Sequence, residues 1–160
     1  VLGGDQRRAP TGAELEKMKA LVSTAMADGA LGLSTGLQYT PGVYSETPEI
    51  VELAMVAAAA GGLYASPMRN EGTEVEKAVA ETIAIGEAAR CPVEISHLKI
   101  DSPNRWGASK AILAMIDEAR RRGVDVRADQ YAYTAASSSL WTALTAIQSD
   151  PRILALGPDV

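Results

Sequence analysis

The sequence contains few aromatic residues, and none of its 160 residues is a phenylalanine. This shortage argues against an all-β core filled by large rings, and it fits alanine-rich helices that pack closely on a sheet. A single cysteine excludes an internal disulfide and favours a reducing, cytoplasmic location. No apolar run approaches the roughly 20 residues of a membrane-spanning helix. The first residues also lack the charged and apolar regions of a signal peptide.

Excess positive charge is also missing, since the formal net charge is −5 and the isoelectric point is near 4.9. This balance argues against nucleic acid or an anionic membrane as the main partner.

No His-x-His, His-Glu-x-x-His or Cys-x-x-Cys pair occurs, and no glycine-rich phosphate loop follows an apolar run. The length suits one compact domain. Because the chain begins with Val1, we expect it to be part of a longer polypeptide.

What the sequence does contain is a repeated pattern of short apolar runs and helical segments. Four candidate strands are centred near Leu31, Tyr64, Glu94 and Val126, at intervals of 33, 30 and 32 residues. A strand, a loop and a helix that recur at this length are typical of parallel βαβ units. The runs are apolar without alternation, as in strands that are buried on both faces. An open doubly wound sheet and half of an eight-stranded β/α barrel both satisfy this pattern.

Signals for helix starts fall between the apolar runs. Thr11 and Glu14 form a capping-box pattern, and Thr73 and Glu76 form a second one. Pro48 stands at the start of another predicted helix, where its missing N–H costs little. A further helix is predicted at residues 140–147.

Polar residues gather where the four predicted strands end, at the edge on which parallel α/β proteins build their sites. They are Ser34, Thr35 and Tyr39, then Ser66, Arg69 and Glu71, then His97, Lys99 and Asp101, and finally Asp129, Tyr131, Tyr133 and Ser137. His97 is the only histidine, and therefore the only neutral imidazole for a metal or for proton transfer near neutral pH. The alternative is that His97 is a structural residue and that Lys99 and Asp101 are solvated loop charges.

Five stretches of the chain resemble the N-acyl-D-amino-acid deacylases, or D-aminoacylases. They are residues 27–44 (ADGALGLSTGLQYTPGVY), 64–72 (YASPMRNEG), 94–99 (EISHLK), 104–107 (NRWG) and 128–140 (ADQYAYTAASSSL). These enzymes belong to the amidohydrolase superfamily, which uses a metal-bearing barrel. The resemblance implies an α/β fold with four consecutive βα units of a (β/α)8 TIM-type amidohydrolase barrel. Residues 1–160 are then part of a single catalytic barrel domain, and its flanking parts lie outside the chain.

The resemblance also implies roles for individual residues. His97 matches a histidine that binds the catalytic zinc. Tyr39, Tyr131 and Ser137 match positions that contact the substrate, its carboxylate in particular. The family's second zinc histidine falls on Pro67, whose side chain cannot bind a metal. The remaining ligand, a cysteine, and the aspartate that acts as general base fall outside these 160 residues.

The implied reaction is metal-dependent hydrolysis of an N-acyl-D-amino acid, a small molecule, to a D-amino acid and a carboxylate, with zinc as cofactor. The alternative is an inactive or degenerate barrel piece in which Pro67 has removed a zinc ligand. A third candidate is ring opening of the dihydroorotase or hydantoinase kind, although Tyr39 and residues 131–137 favour acyl-amino acids. We expect the 160-residue chain alone to be inactive and to self-associate through its open sheet edges.

Overall fold

The computed structural model describes residues 1, 2 and 7–138, and it shows helices alternating with strands. The helices are α1 (Gly12–Ala27), α2 (Thr47–Ala59), α3 (Val75–Ala89) and α4 (Ser109–Arg121). The strands are β1 (Gly32–Ser34), β2 (Leu63–Ser66), β3 (Val93–Ile95) and β4 (Val126–Ala128). Short 3₁₀ helices at Gly42–Tyr44 and Pro103–Arg105 lie in the loops after β1 and β3. All four predicted strands are present, whereas the helix predicted at residues 140–147 lies outside the described residues.

The four strands form one parallel sheet in the order β1-β2-β3-β4. Tyr64 in β2 pairs with Leu33 on one side and with Val93 on the other. Each helix packs on a neighbouring strand or on the next helix, so the helices line one face of the sheet. A doubly wound sheet needs a reversal of strand order to cover both faces, and the described strands follow one another without a reversal. This order fits a section of a (β/α)8 barrel, and the reversal typical of the doubly wound alternative is absent among the described strands.

The helix-covered face of the sheet forms the core. Tyr64, Val93 and Ile95 are almost completely buried on this face. Burial of such large apolar side chains contributes roughly 2 kcal/mol each to folding. Gly86 allows α3 to approach β3 closely, because an added Cβ at Gly86 would lie 1.8 Å from Val93 Cγ2.

The opposite face of the sheet is uncovered in the described part of the chain. Ser34, Ala65, Glu94 and Arg127 pair across the four strands in one row, and each is half-buried or exposed. In a closed barrel this face is the packed interior. The expectation of strands buried on both faces is therefore met on one face only, because the described residues do not supply the facing wall.

The first capping-box prediction is confirmed at α1. Thr11 Oγ1 accepts the backbone N–H of Glu14 at 3.3 Å, and Glu14 Oε2 accepts the backbone N–H of Thr11 at 2.8 Å. Two donors that the helix leaves without intrahelical partners are thereby satisfied.

The second capping-box prediction, at Thr73 and Glu76, is wrong. Helix α3 begins two residues after Thr73, and its N-cap makes no side-chain hydrogen bond. Asn70 instead caps the preceding turn, since its Oδ1 accepts the N–H groups of Gly72 and Glu74 at 2.9 and 3.0 Å. An asparagine side chain that accepts hydrogen bonds from the following backbone N–H groups stabilises a turn there. This turn replaces the helix start that the sequence pattern indicates.

The chain forms two compact units, residues 1–130 and 131–160. The first unit contains every helix and strand named above, and residues 131–138 are the described part of the second. No helix in the described ranges is long and apolar enough to cross a membrane. Cys91, the single cysteine, is buried with a free thiol, and burial raises its pKa.

Candidate functional site

Loops from three neighbouring strands meet around His97 at the C-terminal edge of the sheet. Glu71 follows β2, His97 and Lys99 follow β3, and Asp129 follows β4. His97 Nδ1 lies 2.9 Å from Glu71 Oε1, and Lys99 Nζ forms an ion pair with Glu71 Oε2. The backbone N–H of His97 donates to Asp129 Oδ1 at 2.7 Å. The structure thus brings Glu71, Lys99 and Asp129 around His97, with Glu71 against its ring and Asp129 against its backbone.

The backbone of His97 adopts a left-handed conformation, with φ of 41°. Residues other than glycine rarely adopt it, and they keep it only where their surroundings hold them in place. Asp129 supplies this support, since its side chain binds the N–H of His97 and its carbonyl accepts the N–H of Leu98 at 2.9 Å. The N–H of Asp129 in turn donates to the carbonyl of Ile95 at 3.2 Å. The direction of the imidazole is therefore set by the end of β4 as well as by β3.

Glu71 is the most deeply buried charged group at this edge. Its side chain is 4% exposed, against 18% for Lys99 and 31% for His97. A buried carboxylate is costly unless a cation or hydrogen bonds compensate it, and Lys99 provides that compensation. Sequence reasoning placed Glu71 at the strand ends but gave it no role. The available signal was an acidic residue on the same edge as His97 and Lys99.

His97 Nδ1 has two polar neighbours and can bond to one of them at a time. Lys99 Nζ lies 3.1 Å from Nδ1. If the ammonium donates to Nδ1, the nitrogen carries no proton, and Glu71 Oε1 is left buried without a hydrogen bond, as it is in the structure. If Nδ1 carries the proton, Oε1 at 2.9 Å is placed to accept it. The second arrangement leaves Nε2 as the nitrogen that can bind a metal.

The described residues contain one candidate histidine ligand, His97, and no complete metal site. Within residues 1, 2 and 7–138, no three His, Cys, Asp or Glu side chains lie close enough together to hold a metal ion. Zinc takes at least three protein ligands. At Pro67, the carbonyl accepts hydrogen bonds from Ser66 Oγ at 2.9 Å and from the N–H of Leu37 at 3.4 Å. His97 and Glu71 fit one leg of a metal site, and this stretch of chain does not complete it.

Glu94, on the uncovered side of the sheet, lies beside the carboxyl group of Asp129. Burial, the negative charge of Asp129 and a hydrogen bond with Asp129 raise the pKa of Glu94. The hydrogen bond places the carboxyl group of Glu94 in contact with that of Asp129. Glu94 thereby supports the same aspartate that holds the backbone of His97.

The predicted substrate contacts fall in both units of the chain. Tyr39 lies in the loop after β1, where it is 37% exposed. Its ring packs over Gly36, where an added Cβ would lie 3.1 Å from Tyr39 Cδ2. Tyr131 and Ser137 belong to the second unit, where Tyr131 is half-buried and Ser137 is exposed. The substrate roles of these three residues, and the zinc role of His97, stay predictions.

A cavity of about 370 Å³ opens beside the loop that carries His97. Its lining includes Lys99, Trp106, Ser109 and Gln130. Its volume is at the lower end of the range for small-molecule pockets. It lies against the start of α4, and it presents an indole together with an ammonium-bearing residue.

Comparison with known proteins adds relatives of established activity. No protein-family model matches the chain. The N-acyl-D-glutamate deacylase of Alcaligenes xylosoxydans xylosoxydans is 45% identical over 136 residues, which cover 85% of this chain and 28% of that enzyme. The D-aminoacylase of the same organism is 41% identical over 136 residues, with the same coverage of both chains. The chain therefore spans a little more than a quarter of the length of these relatives.

A solved structure shows the same likeness. The N-acyl-D-glutamate deacylase from Bordetella bronchiseptica was crystallised with zinc and a phosphonate inhibitor that mimics the tetrahedral intermediate of the reaction. It matches this chain with a TM-score of 0.79 and 44% identity, over 82% of this chain and 28% of that one. The resemblance inferred from the five sequence stretches is confirmed.

Proposed function

Because the chain is a section of the amidohydrolase barrel of the N-acyl-D-amino-acid deacylases, we propose that the protein containing it hydrolyses the amide bond of N-acyl-D-amino acids. The products are a D-amino acid and a carboxylate. One observation carries the proposal: an imidazole at the C-terminal end of a central strand lies against the buried carboxylate of Glu71. Catalytic barrels place their chemistry at this edge, and metal-binding histidines are usually oriented by such a carboxylate.

Zinc is the proposed cofactor, supported by the zinc in the solved N-acyl-D-glutamate deacylase. Such a metal, when bound, lowers the pKa of a water molecule and polarises the amide carbonyl. In this chain His97 is the proposed ligand through Nε2, and Glu71 accepts the proton of Nδ1. The general base and the remaining ligands are proposed to come from parts of the barrel outside these 160 residues.

Tyr39, Tyr131 and Ser137 are the proposed contacts of the substrate. Their hydroxyl groups can donate hydrogen bonds to a carboxylate, and the resemblance assigns all three to this role. Residues 1–160 are proposed to form part of one barrel domain of a cytoplasmic enzyme, which the single free thiol of Cys91 supports. Alone, the 160-residue chain should be inactive and should self-associate, since β1 and β4 are the edges of the described sheet.

A degenerate barrel without hydrolytic activity is the second candidate, and Pro67 is the observation that favours it. A proline side chain has no donor atom for a metal, and its carbonyl already accepts the hydroxyl of Ser66. Loss of one ligand from a three-ligand site should weaken zinc binding steeply. A zinc titration of the full-length protein distinguishes the two candidates, because a degenerate site does not bind the metal tightly.

The proposed activity is tested with the full-length protein and the N-acetyl derivatives of D-methionine, D-glutamate and their L enantiomers. We expect cleavage of a D substrate and no cleavage of its L form. Tyr131→Phe should lower kcat/KM by about tenfold, the effect of one lost hydrogen bond to a charged group. Tyr133→Phe is the matched control, because Tyr133 is 80% exposed in the same segment. A protein that holds zinc in full stoichiometry and cleaves no D substrate would contradict the proposal.

A further inference from the structure

We infer that Arg69, paired with Glu81, is a positioning residue for the substrate loop, defined as residues 36–46, which carries Tyr39. The inference rests on the proposed function, because Tyr39 is assigned to the substrate there. Arg69 follows β2 closely, and the sequence groups it with the strand-end residues. In the structure its guanidinium binds α3 and the substrate loop.

All three nitrogens of the guanidinium are used. Nε and one terminal nitrogen, Nη2, donate to the two oxygens of Glu81 at 2.9 Å each. Nη1 donates to the carbonyl of Val43 at 3.0 Å, and Nη2 also donates to the carbonyl of Ser45 at 2.8 Å. A forked guanidinium–carboxylate pair fixes the plane of both groups. The side chains of Arg69 and Glu81 are 28% and 15% exposed, so water screens this pair less than a surface pair.

Glu81 is fixed from a second direction. Thr47 Oγ1 donates to Glu81 Oε1 at 2.7 Å. Thr47 is the first residue of α2, the helix into which the substrate loop runs. One carboxylate on α3 therefore holds the start of α2 directly and the preceding loop through Arg69.

The backbone of Val43 connects this pair to Tyr39. The carbonyl of Val43 accepts from Arg69, while its N–H donates to the carbonyl of Tyr39 at 2.8 Å. The N–H of Tyr39 donates to the carbonyl of Gly36 at 3.2 Å. The position of Tyr39 thus depends on Val43, and the position of Val43 depends on Arg69.

The geometry of the guanidinium, and not its charge alone, carries this role. A lysine at position 69 keeps one positive charge near Glu81. Its ammonium lacks the planar fork that reaches a carboxylate and two carbonyls on different segments. Arg69→Lys therefore separates the positioning role from simple charge compensation.

The test compares full-length Arg69→Lys, Arg69→Ala and Glu81→Gln with Arg121→Lys, which changes an arginine paired with Glu118 on the exposed side of α4. KM and kcat for N-acetyl-D-methionine, zinc content and amide hydrogen exchange of residues 36–46 are measured. The Arg69 and Glu81 variants should raise KM about tenfold and change kcat less than about threefold, since binding of the substrate is what the loop provides. Exchange in the substrate loop should become about tenfold faster, with zinc content unchanged. Arg121→Lys should change none of these quantities.

The inference is overturned if Arg69→Lys leaves both KM and loop exchange at their original values. It is also overturned if exchange accelerates while KM and kcat stay constant, because Arg69 would then hold a loop that does not serve the substrate. Failure of the proposed function is seen separately, as the absence of hydrolysis by the unmodified protein. Loop exchange then decides by itself whether Arg69 positions the loop.

Discussion

Glu71 and Glu81 are both largely buried carboxylates that compensate basic side chains, yet their hydrogen bonding differs. Both oxygens of Glu81 accept hydrogen bonds, from Thr47 and Arg69. One oxygen of Glu71 pairs with Lys99, and the other lies near His97 without a hydrogen bond. Because every oxygen of Glu81 has a donor, its hydrogen bonds favour one arrangement. A buried acceptor without a donor, such as Glu71 Oε1, costs about 1–3 kcal/mol of stability. Glu81 is therefore a fixed support for its neighbours, whereas Glu71 keeps one oxygen that another proton arrangement or a ligand can satisfy.

The largest effect is expected from truncation of the more deeply buried carboxylate. Glu71→Ala leaves Lys99 without its counter-charge and removes the carboxylate beside His97, so the free energy of unfolding should fall by about 3 kcal/mol. Glu81→Ala should cost less, about 2 kcal/mol, because Arg69 keeps its two backbone carbonyls. Urea unfolding of the full-length variants measures both values. A larger loss for Glu81→Ala would reverse the ranking by burial.

Zinc affinity should distinguish the two carboxylates more sharply than stability does. Glu71→Gln weakens the acceptor for the Nδ1 proton of His97, and it should lower the zinc affinity of the full-length protein by about 10- to 100-fold. Glu81→Gln is the matched control and should leave the affinity unchanged. Competition with a chromogenic chelator gives the two dissociation constants. Equal affinities in both variants would remove Glu71 from the metal site.

The pH dependence of stability should report on Glu81. Burial raises the pKa of this carboxyl, but hydrogen bonds from Arg69 and Thr47 outweigh burial, and the net shift is downward. A lowered folded-state pKa contributes stability above the ordinary carboxyl pKa, about 4.5, and this stability is lost as the pH falls further. Glu81→Gln should be about 1–2 kcal/mol less stable at pH 7, with a shallower loss of stability below about pH 4.5. Unfolding curves measured from pH 3 to pH 7 provide the check, and an unchanged slope in the variant would refute the assignment to Glu81.

The smallest effect is expected at an exposed ion pair. Arg127 lies 3.1 Å from Asp125, and their side chains are 71% and 49% exposed. Asp125→Asn should change the free energy of unfolding by less than about 0.5 kcal/mol. If urea unfolding gives a loss as large as that of Glu81→Gln, burial is not what separates these pairs.

The strands and the order of the elements could be predicted from the sequence, because short apolar runs between helical segments have few structural interpretations other than buried strands. The runs near Leu31, Tyr64, Glu94 and Val126 each contain or adjoin an observed strand. The capping box at Thr11 was also predictable, since both of its partners lie within one turn. The pattern at Thr73 failed because Asn70, three residues earlier, bonds to the backbone ahead of the helix.

The site could be predicted only as a set of strand ends. The parallel topology puts the C-terminal ends of all strands on one edge of the sheet, and this predicts that His97 and Lys99 lie at that edge. Which groups face each other depends on loop paths that sequence spacing does not encode. Glu71 therefore had no predicted role, and Arg69 was grouped with the site although it binds Glu81 on α3.

The most direct measurement is the zinc content and turnover of the full-length protein with Pro67 as found and with Pro67→His. His97 is the proposed zinc ligand with Glu71 as its carboxylate partner, and position 67 is where the resemblance places a second ligand. The histidine form should therefore bind zinc more tightly and hydrolyse N-acetyl-D-methionine faster than the proline form. If the proline form already holds about one tightly bound zinc and turns over at the same rate, the assignment of a ligand to position 67 is contradicted.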